Sequence, residues 1–134
     1  MIVERLDHVN IITSKLSETA KFYSDLLELD ERDGPPGMQP DQVRWMYDQS
    51  GQAILHLNSV DFPRAYDREV TPGNATGAIH HIALSCNDIE QVQSKLDKTG
   101  AQYTVNRVPS INLTQIFTTD PNNVLLELNF FNAE

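Results

Sequence analysis

"NVLLELN" (residues 123–129) is a short apolar run, and turn residues precede it in "TTDPNN" (118–123). It reads as a strand. Its near twin is "QAILHLN" (52–58), which follows the turn "DQSGQ" (48–52). Setting one over the other gives an offset of 127 − 56 = 71, which places His56 on Glu127 and Asn58 on Asn129. A second pair lies upstream: "LDHVNI" (6–11) over "IHHIAL" (79–84), offset 81 − 8 = 73, places His8 on His81. Two matched pairs in the same order point to an internal repeat, and a repeat governs the whole fold.

The segments between the pairs support the repeat. "LDHVNIIT" (6–13) is a strand candidate, and "SKLSETAKFYSDLLEL" (14–29) has apolar residues at 16, 20, 23, 26 and 27, the helical period, with Ser14 as N-cap. "VRWMYD" (43–48) and "QAILHLN" form a hairpin. The second copy runs from the strand "AIHHIALS" (78–85) to a helix, "NDIEQVQSKLDKTG" (87–100), with a capping box from Asn87 to Glu90 and a terminal Gly100. The strand "AQYTVNRV" (101–108) and a hairpin of 113–120 with 123–130 complete it. The order β-α-β-β-β therefore occurs twice, provided that "LDERD" (29–33) supplies a short strand. One domain over 1–134 is expected, with module 1 at about 1–58, a linker at 59–77 and module 2 at about 78–134.

Glu127 is out of place in an apolar strand. A buried, unpaired carboxylate is very costly, so it calls for a partner, a proton or a metal. The repeat places it in a set with His8, His56 and His81. Three of the four histidines in the chain fall on repeat-related positions, which chance placement explains poorly. Side chains alternate along a strand, so Val9, Ile11, Leu126 and Leu128 would face the helices and the four polar residues a cavity. His/Glu sets suit divalent Zn, Ni, Fe, Mn or Co. Arg44 falls on Gln115 at offset 71, and both would line the cavity beside the ligand strands. Arg44 is a candidate for gripping an anionic substrate group. Asn10, Asn58 and Asn129 share strand faces with the ligand candidates and could hydrogen-bond around the site.

Size and charge exclude other classes. The chain has 134 residues, 10 basic and 19 acidic, for a net charge of −9, and its basic residues are scattered singly. That disfavours nucleic acid as a partner. No apolar run approaches the ~20 residues of a membrane span. "MIVERLDHV" has no secretory pattern, and a single cysteine, Cys86, rules out an intrachain disulfide. A cytoplasmic protein acting on a small molecule is expected.

With those residues in view, the chain resembles the vicinal oxygen chelate superfamily, which includes glyoxalase I, methylmalonyl-CoA epimerase, fosfomycin-resistance thiol transferases, extradiol dioxygenases and bleomycin-resistance proteins. The resemblance lies in "LDHVNI" followed by "TAKFYSDLLEL", then "IHHIAL", then "TQIFTTDPNNVLLELNF". The ending departs from the family at Asn122-Asn123, where Gly-Asn is common, a change that Asn tolerates because it can adopt positive φ. The resemblance implies an α+β fold in which two βαβββ modules form a cupped, barrel-like mixed sheet with helices outside. It implies a divalent metal held by His8, His56, His81 and Glu127, which chelates vicinal oxygens of substrate and stabilises an enolate-like intermediate. Dioxygenase and fosfomycin-type members use three ligands, matching His8, His81 and Glu127. Glyoxalase I and the epimerases fill the fourth position with Glu or Gln, here His56. A lyase or isomerase is implied first, with Glu127 and His56 as the catalytic proton carriers. An extradiol Fe(II) dioxygenase and a metal-free binding or resistance protein are the alternatives. Homodimers are common in the family, and in some members the modules making one site come from different chains.

Overall fold

The computed structural model describes residues 1–64, 68 and 73–132. The chain divides into two compact units, Met1–Gly73 and Asn74–Glu134. The expected linker at 59–77 falls partly outside the described residues.

The first unit runs β1 (Val9–Thr13), α1 (Leu16–Leu27), β2 (Asp30–Asp33), β3 (Val43–Tyr47) and β4 (Ala53–Ser59). Its sheet order is β1-β4-β3-β2, with β1 parallel to β4 and the other neighbours antiparallel. The second unit repeats this with β5 (Ile82–Ser85), α2 (Ile89–Thr99), β6 (Thr104–Val108), β7 (Leu113–Thr119) and β8 (Leu125–Phe131), in the order β5-β8-β7-β6. A short 3₁₀ turn at Pro109–Ile111 joins β6 to β7. The predicted α+β fold of two βαβββ modules is what forms. Among the described residues the strands make two four-stranded mixed sheets, however, and not one closed barrel-like sheet. Each sheet keeps its own edges, β1 and β2 in one and β5 and β6 in the other.

Most of each core lies on one face of its sheet, with Val43 and Leu113 buried on the other. In the first unit Ile11, Met46, Leu55 and Leu57 are buried, as are Ala20, Tyr23 and Leu26 of α1, which packs on β3 and β4. In the second, Ile116, Leu126, Leu128 and Phe130 are buried, along with Val92 and Leu96 of α2. Burying these apolar side chains is the main stabilising contribution, roughly 1.5–3 kcal/mol for each large residue.

Three local expectations shift and a fourth holds. Helix α1 is capped at Lys15 and not at Ser14, with no capping hydrogen bond from the cap side chain. The Thr13 hydroxyl accepts from the Lys15 N–H at 2.8 Å instead. Helix α2 is capped by Asp88 in place of Asn87, because the Asp88 carboxylate accepts from the Gln91 N–H at 3.2 Å. The strands β1 and β5 start at Val9 and Ile82, so His8 and His81 stand just before their strands. In the first unit β4 also carries a bulge: Leu55 pairs with Met46 and Ala53 with Tyr47, and Ile54 is left over. Finally, the weakly supported "LDERD" does yield a strand, fully exposed, held by its ladder to β3 and by Arg44, which binds Glu31 at 2.6 Å and Asp33 at 2.5 Å.

Candidate functional site

The ladders show which side chains share a face. In the first unit Asn10 pairs with His56, His56 with Trp45, and Trp45 with Arg32. In the second, Ala83 pairs with Glu127, Glu127 with Phe117, and Phe117 with Thr104. Paired residues point to the same side, so each row lies on the face opposite its core. His56 and Glu127 occupy the same point in the two rows, as the repeat predicted.

Arg44 does not lie on that face. It pairs with Leu57, a core residue, so it points away from His56. The bulge at Ile54 is the physical reason. Upstream of it the modules match at offset 117 − 45 = 72, so Trp45 matches Phe117 and Val43 matches Gln115. A one-residue slip moves a side chain to the other face. Burial acts to lower the Arg44 pKa, but hydrogen bonds to Asp33 and Glu31 outweigh it and raise it. The arginine on the His56 face is Arg32. Its Nε donates to Asp30 at 2.8 Å, and its guanidinium lies 4.4 Å from the centre of the Tyr47 ring. Sequence reasoning missed Arg32 because its strand had almost no signal of its own.

The first-unit polar group is a stack of rings. His56 lies between Trp45, at 4.0 Å, and His8, at 3.7 Å, with both interplanar angles 11°. Burial, and then the charge of His8, push the His56 imidazole below its ordinary pKa, while Asp7 and a backbone hydrogen bond with Ala53 oppose the shift. His8 Nδ1 meets the Asp7 carboxylate at 2.6 Å. Beside the stack, Asn58 donates to Asn10 at 2.9 Å.

The second-unit polar group centres on a carboxylate. The Glu127 side chain is only 16% exposed, and its Oε1 stands 3.5 Å from His81 Nε2. Asn129 donates to its Oε2 at 2.9 Å, and Gln115 donates to Asn129 at 3.2 Å. An open cleft of about 630 Å³ runs along this unit, with Thr104, Phe117, Thr119 and Leu125 among its lining.

These donors fit a divalent cation unevenly. His81 and Glu127 lie side by side, one imidazole and one half-buried carboxylate, which suits a borderline metal. His8 and His56 cannot both ligate one ion while stacked. An imidazole lone pair lies in the ring plane, and nearly parallel planes do not meet within the ~2.0–2.1 Å of a zinc–nitrogen bond. Among the described residues, no group of three or more His, Cys, Asp or Glu side chains comes together to hold a metal. Cys86 offers no nucleophile, since burial pushes its thiol up to about 11.

The sequence matches the Glyoxalase/Bleomycin resistance protein/Dioxygenase superfamily over residues 5–128. The chain belongs to that superfamily.

Among solved structures, this superfamily member is similar to a virulence protein from Salmonella typhimurium, with 16% identity, TM-score 0.73, and coverage of 98% of this chain and 99% of that one. It is similar to lactoylglutathione lyase from Agrobacterium tumefaciens, with 16% identity, TM-score 0.67, and coverage of 97% and 96%. It also resembles a genomically encoded fosfomycin resistance protein from Listeria monocytogenes, with 15% identity, TM-score 0.65, and coverage of 96% and 94%. At these identities the likeness establishes the fold alone. No curated protein sequence matches the chain significantly.

Proposed function

We infer that this superfamily member is a divalent-metal-dependent lyase or isomerase of the glyoxalase type, acting on a small oxygenated substrate. The observation that carries the reading is the matched pair of rows, with His56 and Glu127 at equivalent positions, each on the face of its own sheet opposite the core. The family of lactoylglutathione lyase and fosfomycin resistance proteins gives it chemical context.

The proposed metal ligands are His8, His81 and Glu127. The stack favours His56 as a base over His56 as the fourth ligand. A bound divalent cation would act as a Lewis acid on the substrate's vicinal oxygens. His56 would take the proton beside the activated carbonyl. Burial favours its neutral form, and a neutral imidazole has one nitrogen that accepts a proton. Trp45 holds the ring in place by stacking. Asn10, Asn58, Gln115 and Asn129 orient the groups around them. The anion-gripping role expected of Arg44 passes to Arg32, the arginine on the His56 face. A cytoplasmic homodimer completes the proposal. Among the described residues, no helix is long and apolar enough to cross a membrane.

The three-ligand set also favours a second reading, an extradiol-type Fe(II) dioxygenase. Two assays separate them. A lyase or isomerase incorporates solvent deuterium beside the substrate carbonyl, and His56→Gln abolishes this. A dioxygenase consumes oxygen when anaerobically iron-loaded protein meets a catechol. Oxygen uptake without deuterium incorporation would overturn the first reading.

A further inference from the structure

The polar side chains beside Glu127 form one continuous row. Asn106 on β6 donates from Nδ2 to Gln115 Oε1 at 2.8 Å. Gln115 on β7 donates from Nε2 to Asn129 Oδ1 at 3.2 Å, and Asn129 on β8 donates from Nδ2 to Glu127 Oε2 at 2.9 Å. The ladders explain the meeting: Asn106 pairs with Gln115, and Gln115 with Asn129. Directly opposed side chains on neighbouring antiparallel strands are in contact.

The sense of the row follows from its end. A carboxylate offers acceptors only, whereas an amide has one accepting and one donating end. Asn129 must therefore turn its NH₂ to Glu127, which leaves its oxygen for Gln115. Gln115 must then present its own NH₂, which leaves its oxygen for Asn106. All three amides donate toward Glu127, and aligned hydrogen bonds polarise one another.

Among the described residues, the first unit lacks this row. Asn58 donates to Asn10, and Val43 stands where Gln115 stands in the second unit, so the polar row stops after one bond. The difference matches the residues served, because an imidazole stacked between two rings is held by packing and a carboxylate is not.

We propose that Asn106, Gln115 and Asn129 are a directional amide row that pins Oε2 of Glu127 and keeps Oε1 turned toward His81. They are positioning residues. The consequence for metal affinity rests on the reading of Glu127 as a ligand, while the row itself does not. Asn106, exposed on an edge strand and remote in sequence, thereby acts on Glu127 through two intervening amides.

Two measurements on the full chain test this separately. In metal-free, ¹⁵N-labelled protein, Glu127→Leu should shift the side-chain amide signals of Asn129, Gln115 and Asn106 together and leave that of Asn58 unmoved. A shift confined to Asn129, or no shift, overturns the row. In Zn²⁺ titrations against a chromophoric chelator, Gln115→Glu replaces the donor to Asn129 with an acceptor and should weaken binding roughly 10- to 100-fold, the usual range for groups that support a metal ligand. Asn106→Ala, at an exposed position that tolerates truncation, should weaken it less. An unchanged Zn²⁺ dissociation constant in both variants overturns the positioning role. Coupled amide shifts in a protein that binds no Zn²⁺ at all would leave the row standing and defeat the metal reading instead.

Discussion

Trp45 is the cross-strand neighbour of His56, and their rings stack at 4.0 Å with an interplanar angle of 11°. Trp45 is also the chain's single tryptophan. Its emission is therefore a direct reporter of the His56 charge, since an adjacent imidazolium quenches indole fluorescence. His56 is depressed, first by burial and then by His8, so quenching should set in with a midpoint below the ordinary ~6.5. His56→Gln should remove the step. The sign for stability follows: a depressed folded pKa contributes stability above about pH 6.5 that is lost as pH falls through the folded value. A quenching midpoint above 6.5, or one unaffected by His56→Gln, would contradict the stack.

Arg32 and Arg44 should separate in a pair of substitutions. Arg44→Ala leaves Glu31 and Asp33 without their half-buried partner and should cost roughly 1–2 kcal/mol in urea unfolding with little change in KM. Arg32→Ala removes an exposed pair with Asp30, so stability should move by no more than about 0.5 kcal/mol while KM for an anionic substrate rises. The reverse pattern would return the binding role to Arg44.

The two hairpin turns are chemical twins, and they should differ in cost. Asp48 accepts from the N–H groups of Ser50 and Gln52, and Asp120 from those of Asn122 and Val124. Positive φ falls on Gly51 in one turn and on Asn123 in the other. Asp120 is buried, so Asp120→Ala should cost more than Asp48→Ala, about 1–3 kcal/mol against about 1. Hydrogen bonding to Ser50 lowers the Asp48 pKa first, with burial opposing and backbone bonds adding. Its contribution is thus present above the ordinary value of 3.8 and lost as pH falls through the lower folded one. Asp48→Asn should give a shallower loss of stability below pH ~4. Equal slopes in the two proteins would contradict this.

Cys86 should be chemically quiet. With its thiol raised to about 11, iodoacetamide labelling of native protein near neutral pH should run on the order of 100-fold slower than that of a free cysteine of pKa ~8.5. Cys86→Ser should leave turnover unchanged.

What the sequence revealed follows from where its signals are local. The repeat was legible because "QAILHLN" and "NVLLELN" preserve strand period and turn chemistry, and their matched positions are the ones that the ladders align. The face of Arg44 was not legible. It depends on a bulge at Ile54, and a bulge leaves the strand's apolar content unchanged while reversing which side chains share a side. Strand β2 was faint because its four residues are all charged and exposed, and what holds it is pairing with a strand a dozen residues away. That same non-local pairing puts Arg32 beside Trp45 and Asn106 beside Gln115, so both were invisible until the ladders were known. The caps were off by one residue because Asp88 caps as well as the expected Asn87, and because α1 begins after Lys15, whose N–H the Thr13 hydroxyl accepts.

The central claim is that this chain holds a divalent metal through His8, His81 and Glu127 while His56 stays a non-ligand. Metal analysis of gently purified protein, paired with Zn²⁺ titration of four variants, tests it most directly. The account predicts near-stoichiometric metal in the unaltered chain, its loss in His8→Ala, His81→Ala and Glu127→Gln, and its retention in His56→Gln. Substoichiometric metal that does not rise on adding Ni, Zn, Mn or Fe, or metal lost in His56→Gln but kept in Glu127→Gln, would contradict it.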